Sequence, residues 1–273
     1  MSRRFAAKAL SAPIAPSPFR PFAVSFFSLL SLELLALLMY RSGRNYAEST
    51  PDHAMSESNV PKKTPVVTYT VIGLCVLVYI WELTNYPAVE ATLVNPIATN
   101  GVSALWTLFT MTLVHSRTQV THILFNLYAF FVLGKIIETL YGSLRLAVLL
   151  IVLAWVASAA QIVFERNIGI GLSGVVYGVF GFMIGASPSN PYLWWFVKKN
   201  ALMLIGWAVL CVVLTQMHVW NIGNGAHIGG LIYGILCGLI YGLPRYRYAF
   251  VGLTIVIPIV LTGALVLLLT SQG

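Results

Sequence analysis

The stretch GLSGVVYGVFGFMIGA, residues 171–186, decides how this chain folds. It is apolar almost throughout, yet it opens on Ser173 and repeats glycine at Gly174, Gly178, Gly181 and Gly185. Glycines three and four apart strip one helix face of side chains, so a second backbone can approach closely. A partner of the same design follows at residues 224–242, NGAHIGGLIYGILCGLIYG, with Gly230, Gly234, Gly238 and Gly242. Packed stripe against stripe, these helices would bring Ser173, at the start of one, within hydrogen-bond reach of His227, at the start of the other.

Around these two segments the chain is built for lipid. Only 9% of its 273 residues are charged, against about 25% in a soluble domain. Its apolar residues come in runs, at roughly 66–85, 118–139, 145–163, 172–187, 200–217, 226–242 and 248–269. Each is long enough, or nearly so, to cross about 30 Å of hydrocarbon as a helix. Short alternating strands of the kind a membrane β-barrel needs are absent from the pattern. The fold class is therefore an all-α polytopic membrane protein. The net charge of +8 sits in short loops rather than in a basic, aromatic-interleaved patch, so it reads as topology and not as nucleic-acid binding. With the start of the first run placed in the cytoplasm, the inner loops hold Lys62, Lys63, Lys135, Arg145, Lys198, Lys199, Arg245 and Arg247. The outer loops hold Arg117 and Arg166. This is the positive-inside pattern.

Residues 1–65 differ. Met1 to Pro21 is basic and rich in Ala, Ser and Pro, Phe22 to Tyr40 is apolar but carries Glu33, and Arg41 to Lys63 reads as a polar linker. This extension could be a targeting segment, an extra helix, or a start upstream of one at Met55. Domains are accordingly expected at 1–65 (extension and linker), 66–242 (helical core) and 243–273 (a C-terminal transmembrane helix).

Polar side chains inside membrane helices are costly and default to functional candidates. Three of the spans open on them: His122 and Asn126, then Ser173, then His227. The charge pattern starts all three on the outer side, so these groups share one shallow depth. A serine hydroxyl is a weak nucleophile and needs an adjacent base, which assigns Ser173 as nucleophile and His227 as its base. Tyr177, four residues after Ser173, is placed to stack on the imidazole. His122 and Asn126 share a helix face and can donate to an oxyanion together with the Ser173 backbone N–H. His115 and His218, near span ends, read as interfacial residues. Other chemistries lack their parts. The chain has one aspartate, Asp52, and no acid after Glu165, so a Ser-His dyad is more economical than a triad, and paired intramembrane aspartates are impossible. HExxH is absent, and Cys75, Cys211 and Cys237 show no metal or redox spacing.

The segment from Trp106 to Gly242 closely resembles bacterial rhomboid proteases. His122-Ile-Leu-Phe-Asn126 resembles their HxxxN, Gly171-Leu-Ser173-Gly174 their GxSG, Asn224-Gly-Ala-His227-Ile-Gly-Gly230 their sixth-helix histidine motif, and Glu138 with Gly142 their ExxxG. The resemblance implies a six-helix bundle, here with a seventh C-terminal helix. It implies an intramembrane serine endopeptidase with Ser173 and His227 as the catalytic dyad and His122, Asn126 and Ser173 N–H as the oxyanion hole. Tyr177, Gly171, Gly174 and Gly230 are supporting residues. Its partners would be transmembrane protein substrates in a lipid bilayer, with substrate entry near the fifth helix and the loop at about 217–224, and with no metal or organic cofactor. The location implied is the bacterial inner membrane, with the site opening to the extracytoplasmic side, although the acid-free start with Arg3, Arg4 and Lys8 is similar to a transit peptide. The alternative is a rhomboid-fold protein that binds clients without cutting them. One departure is Trp106-Thr107, where the family has Trp-Arg, which bears on the first loop's stability. Oligomeric state and natural substrate are not written in these patterns.

Overall fold

The computed structural model describes residues 64–217 and 222–271, apart from some side chains between Met203 and Leu214. The apolar run 22–40, the polar linker, His218 and the Cys211 side chain lie outside the described residues.

All described secondary structure is helical. Helix α1 is Val66–Val89, followed by a π-helical turn at Glu90–Val94. The first loop carries two short helices, α2 (Pro96–Asn100) and α3 (Thr107–Thr110). Then come α4 (Val120–Tyr141), α5 (Ser143–Glu165), α6 (Ser173–Ala186), α7 (Pro191–Gln216), α8 (Asn224–Gly242) and α9 (Arg247–Thr270). The seven long helices match the seven apolar runs in order, though α7 begins at Pro191, nine residues before its run. Five segments are long and apolar enough to cross a membrane: Val66–Ala104, Val120–Tyr141, Ser143–Glu165, Asn224–Gly242 and Pro244–Thr270. The protein is a multi-pass helical membrane protein.

Local sequence sets the helix ends. Gly142, at φ +90°, closes α4 in a conformation that L side chains rarely adopt. Asn190 caps α7 by accepting from Leu193 N at 3.1 Å, with Pro191 in the first helical position. Asn85 breaks helical geometry just before Pro87 and kinks α1.

The closest helix pair is α6 with α8, and the glycine stripes are the reason. A Cβ on Gly230 would land on the Gly174 carbonyl oxygen, one on Gly234 on the Gly178 carbonyl, and one on Gly242 on the Gly185 carbonyl. The contact is backbone against backbone. Helix α5 packs behind this pair, α4 lies against α6 and α1, and α9 lies against α5 and α8. By contrast α7 packs chiefly through the turn that precedes it and against α6.

Glu138 shows what a carboxylate near a span end does. It accepts from Val67 N, Thr68 N, Thr68 Oγ1 and Ser143 Oγ at 2.7–2.9 Å. One side chain thus caps the start of α1 and ties the α4–α5 turn to it. Cys75 and Cys237 are buried and free.

Candidate active site

Helix α6 has 14 residues and spans about 21 Å, short of a hydrocarbon layer of about 30 Å. With its far end at one face, its first residue stops roughly 9 Å below the other. That first residue is Ser173. A helix of this length, seated so, would hold the serine inside the layer, reached by the connecting chain at Gly169–Leu172.

Ser173 Oγ and His227 Nε2 are 2.7 Å apart. The imidazole is 8% exposed and stacks on the Tyr177 ring, with centroids 4.4 Å apart and planes 15° from parallel. Tyr177 lies one turn after Ser173 on α6, so the helix carrying the hydroxyl also holds the face of the ring that faces it. Gly174 and Gly230 allow this: a Cβ on Gly174 would meet Ala157 and Ala226, and Gly230 is seated on Gly174 itself.

The start of α4 closes the other side. Gly171 has φ +108°, and a Cβ there would strike His122 Nε2, so glycine is required both by conformation and by the ring beside it. The Asn126 amide lies next to it and donates to His122 O at 2.9 Å. Ser116 N donates to His122 Nδ1 at 3.3 Å. That bond makes Nδ1 an acceptor, so in the neutral ring the proton sits on Nε2, the atom turned toward Gly171. His122 Nε2–H and the Asn126 amide, both beside Gly171, and the Ser173 N–H, which as the first N–H of a helix has no intrahelical partner, are the donors at this end of α6. The positive end of the α6 dipole points to the same place.

His115 lies where sequence reasoning did not put it. It is completely buried, not interfacial, and its ring is 5.2 Å from that of His122. Its backbone N donates to Glu82 Oε1 at 2.8 Å, Nδ1 donates to Leu113 O at 3.0 Å, and Nε2 accepts from Leu172 N at a long 3.5 Å. Burial and the neighbouring His122 push its pKa down to about 4, which keeps Nε2 an acceptor. Gly171 N donates to Met111 O at 3.1 Å. The first loop thus holds the two residues before Ser173 from behind. Glu82, 1% exposed, anchors that loop to α1. Thr107, which stands where the family carries arginine, is fully buried and donates to Ala104 O at 2.8 Å.

Two further residues escaped the sequence reading. Gln161 and Glu165, four apart at the end of α5, accept from Ala226 N at 3.0 Å and Gly225 N at 2.6 Å. Polar side chains at helical spacing in an otherwise apolar run were the available signal. A cavity of about 30 Å³ lies beside Ser173, bounded also by Thr112, Ser158, Gln161, Gly169 and Ala226. Its lining is mixed, with the polar side chains of Thr112, Ser158, Gln161 and Ser173 among apolar ones, and it is large enough to hold a water. Among the described residues no group of His, Cys, Asp or Glu forms a metal-ligand cluster.

Comparison with known proteins gives the family. A family model described as the Rhomboid domain matches residues 102–244. The chain is 33% identical over 184 residues to Rhomboid protease GlpG of Haemophilus influenzae, covering 64% of this chain and 90% of that protein. It is 29% identical over 192 residues to Rhomboid protease GluP of Bacillus subtilis, covering 66% of this chain but 36% of the relative. With Rhomboid protease GlpG of Salmonella choleraesuis the identity is 33% over 172 residues, 62% of this chain and 60% of the relative. The matched segment contains Ser173, His227, Tyr177, His122 and Asn126, and on this evidence the chain belongs to the rhomboid family.

Proposed function

We propose that this chain is a serine endopeptidase that hydrolyses peptide bonds in or near the transmembrane segments of other proteins. The observation that carries the reading is the 2.7 Å contact between Ser173 Oγ and His227 Nε2, at a depth where an unpaired polar group would be costly. In this reading Ser173 Oγ attacks the scissile carbonyl carbon while its proton passes to His227 Nε2. The tetrahedral oxyanion is received by Ser173 N–H, His122 Nε2–H and the Asn126 amide. The C–N bond then breaks, His227 returns the proton to the departing amine, and the acyl group stays on Ser173. A water, entering from the cavity lined by Gln161 and Ser158, gives its proton to His227 and attacks the ester; the C–O bond to Ser173 breaks as His227 returns that proton to Oγ, which frees the acid and restores the serine. A peptide bond must leave its helix to be attacked, so substrates with small or helix-breaking residues near the cut are favoured. That the relatives are named rhomboid proteases supports the same activity.

In this reading residues 66–242 form the proteolytic core, 243–273 add a helix to it, and 1–65 are an extension. The loop charges orient the site toward the extracytoplasmic side of a bacterial inner membrane. The test is cleavage of a model transmembrane substrate by the purified chain, in detergent and in lipid, beside Ser173→Ala and His227→Ala. Cleavage by the parent alone supports the dyad. Equal cleavage by all three overturns the site assignment, and cleavage by none in either medium favours a client-binding protein that does not cut.

A further inference from the structure

A Ser-His dyad leaves open what offsets the positive charge that appears on the base. His227 lies in the first turn of α8, where the free N–H groups give the helix end about half a positive charge. An imidazolium formed there is opposed by its own helix. Against that end stands the last acid of the chain. Glu165 Oε1 accepts from Gly225 N at 2.6 Å, two residues before His227. The carboxylate does not float. Gln161 Nε2 donates to Glu165 Oε2 at 3.0 Å and also to Asn167 Oδ1, while Gln161 Oε1 accepts from Ala226 N. A Cβ on Gly225 would touch Gln161 Oε1 and the Gln161 backbone, so the cap sits tight on the helix.

We infer that Glu165 is a positioning residue for the base: its carboxylate, clamped by Gln161 on the N-terminus of α8, fixes the helix end and offsets the positive charge formed on His227 when Ser173 gives up its proton. Glu165 contacts neither Ser173 nor the imidazole and acts through the helix. The inference rests on the proposed Ser-His chemistry and adds to it a distant third member supplied by α5.

The test is the rate at which a fluorophosphonate probe labels Ser173 in the full chain, together with kcat and KM on a transmembrane substrate. Glu165→Gln keeps an acceptor of the same shape and removes the charge. It is expected to slow labelling and kcat about two- to fivefold, the range of a helix-end charge effect, with KM within about twofold. Glu165→Asp keeps the charge and stays within about twofold of the parent. Glu165→Gln/Asn167→Asp returns a carboxylate to the same end and recovers part of the loss, a rescue that a merely structural cap would not give. If Glu165→Gln labels as fast as Glu165→Asp while the parent labels and Ser173→Ala does not, the charge has no role and this inference falls alone. A parent that does not label overturns the serine-nucleophile reading and this inference with it.

Discussion

The donors beside Ser173 are set by neighbours that do no chemistry themselves. Ser116 N–H settles which nitrogen of His122 carries the proton, and Glu82 and His115 fix the segment that bears Ser116. Replacing His122 with Ala removes one of the proposed oxyanion donors and is expected to lower kcat by about 10²–10³ while leaving the melting temperature in detergent nearly unchanged, since the ring is only half-buried. His115 makes a pH prediction. Its pKa is about 4 in the folded protein against the ordinary 6.5. Between those values the unfolded chain binds more protons, so the contribution of neutral His115 is complete above pH 6.5 and drains away as the pH falls through 4. Melting temperatures measured from pH 7.5 to 4.5 should therefore drop more steeply for the parent than for His115→Gln. Parallel curves would remove His115 as a source of acid sensitivity.

At the scale of elements, three helix starts converge on one point. The starts of α4, α6 and α8 supply His122, Ser173 and His227, and the glycine faces of α6 and α8 hold two of these starts together. Gly234→Ala would place a methyl group on the Gly178 carbonyl, where no flexible side chain can yield. The helices must separate, at an expected cost of about 1–3 kcal/mol for overpacking. Separation also lengthens the Ser173–His227 contact, so activity should fall further than stability alone predicts, measured at a temperature where the variant remains folded. Glu138→Ala acts on a different element. It leaves the buried N–H of Thr68 and the Thr68 hydroxyl without their acceptor, a loss of about 1–3 kcal/mol for each group left unpaired. The start of α1 should fray, read as faster proteolytic nicking near residues 64–68.

The whole molecule adds a brace behind the site. Leu265 and Leu268 of α9 are buried in one cluster with Val89, Val94, Ile97, Leu108 and Met111 of α1 and the first loop, and with Ala159 and Ile162 of α5. Trp155 Nε1 to Thr262 Oγ1 and Tyr233 OH to Thr254 O, both 2.8 Å, tie α9 to α5 and α8. The seventh helix is thus joined through Met111 to the carbonyl that holds Gly171. Leu265, fully buried, should cost about 2–5 kcal/mol when cut to Ala. Melting in detergent measures that loss. Probe labelling of Ser173 should slow with it, whereas Leu267→Ala, on an exposed face, should change neither.

The sequence alone determined the membrane class, the seven helical runs, the pairing of glycine faces, and the roles open to Ser173, His227, Tyr177, His122 and Asn126. Those properties are local or periodic: apolar length, glycine spacing, and polar groups where lipid tolerates few. The tertiary structure alone decided that His115 is buried behind the nucleophile, that Glu82 anchors its loop, that Glu165 and Gln161 sit on the start of α8, and that α9 reaches the first loop. In sequence His115 and Glu165 are polar residues near span ends, and such residues face lipid headgroups or core with equal ease. Which they face depends on how the 30-residue stretch between α1 and α4 folds back over the bundle, and on contacts between residues far apart in sequence, for which helical periodicity carries no information.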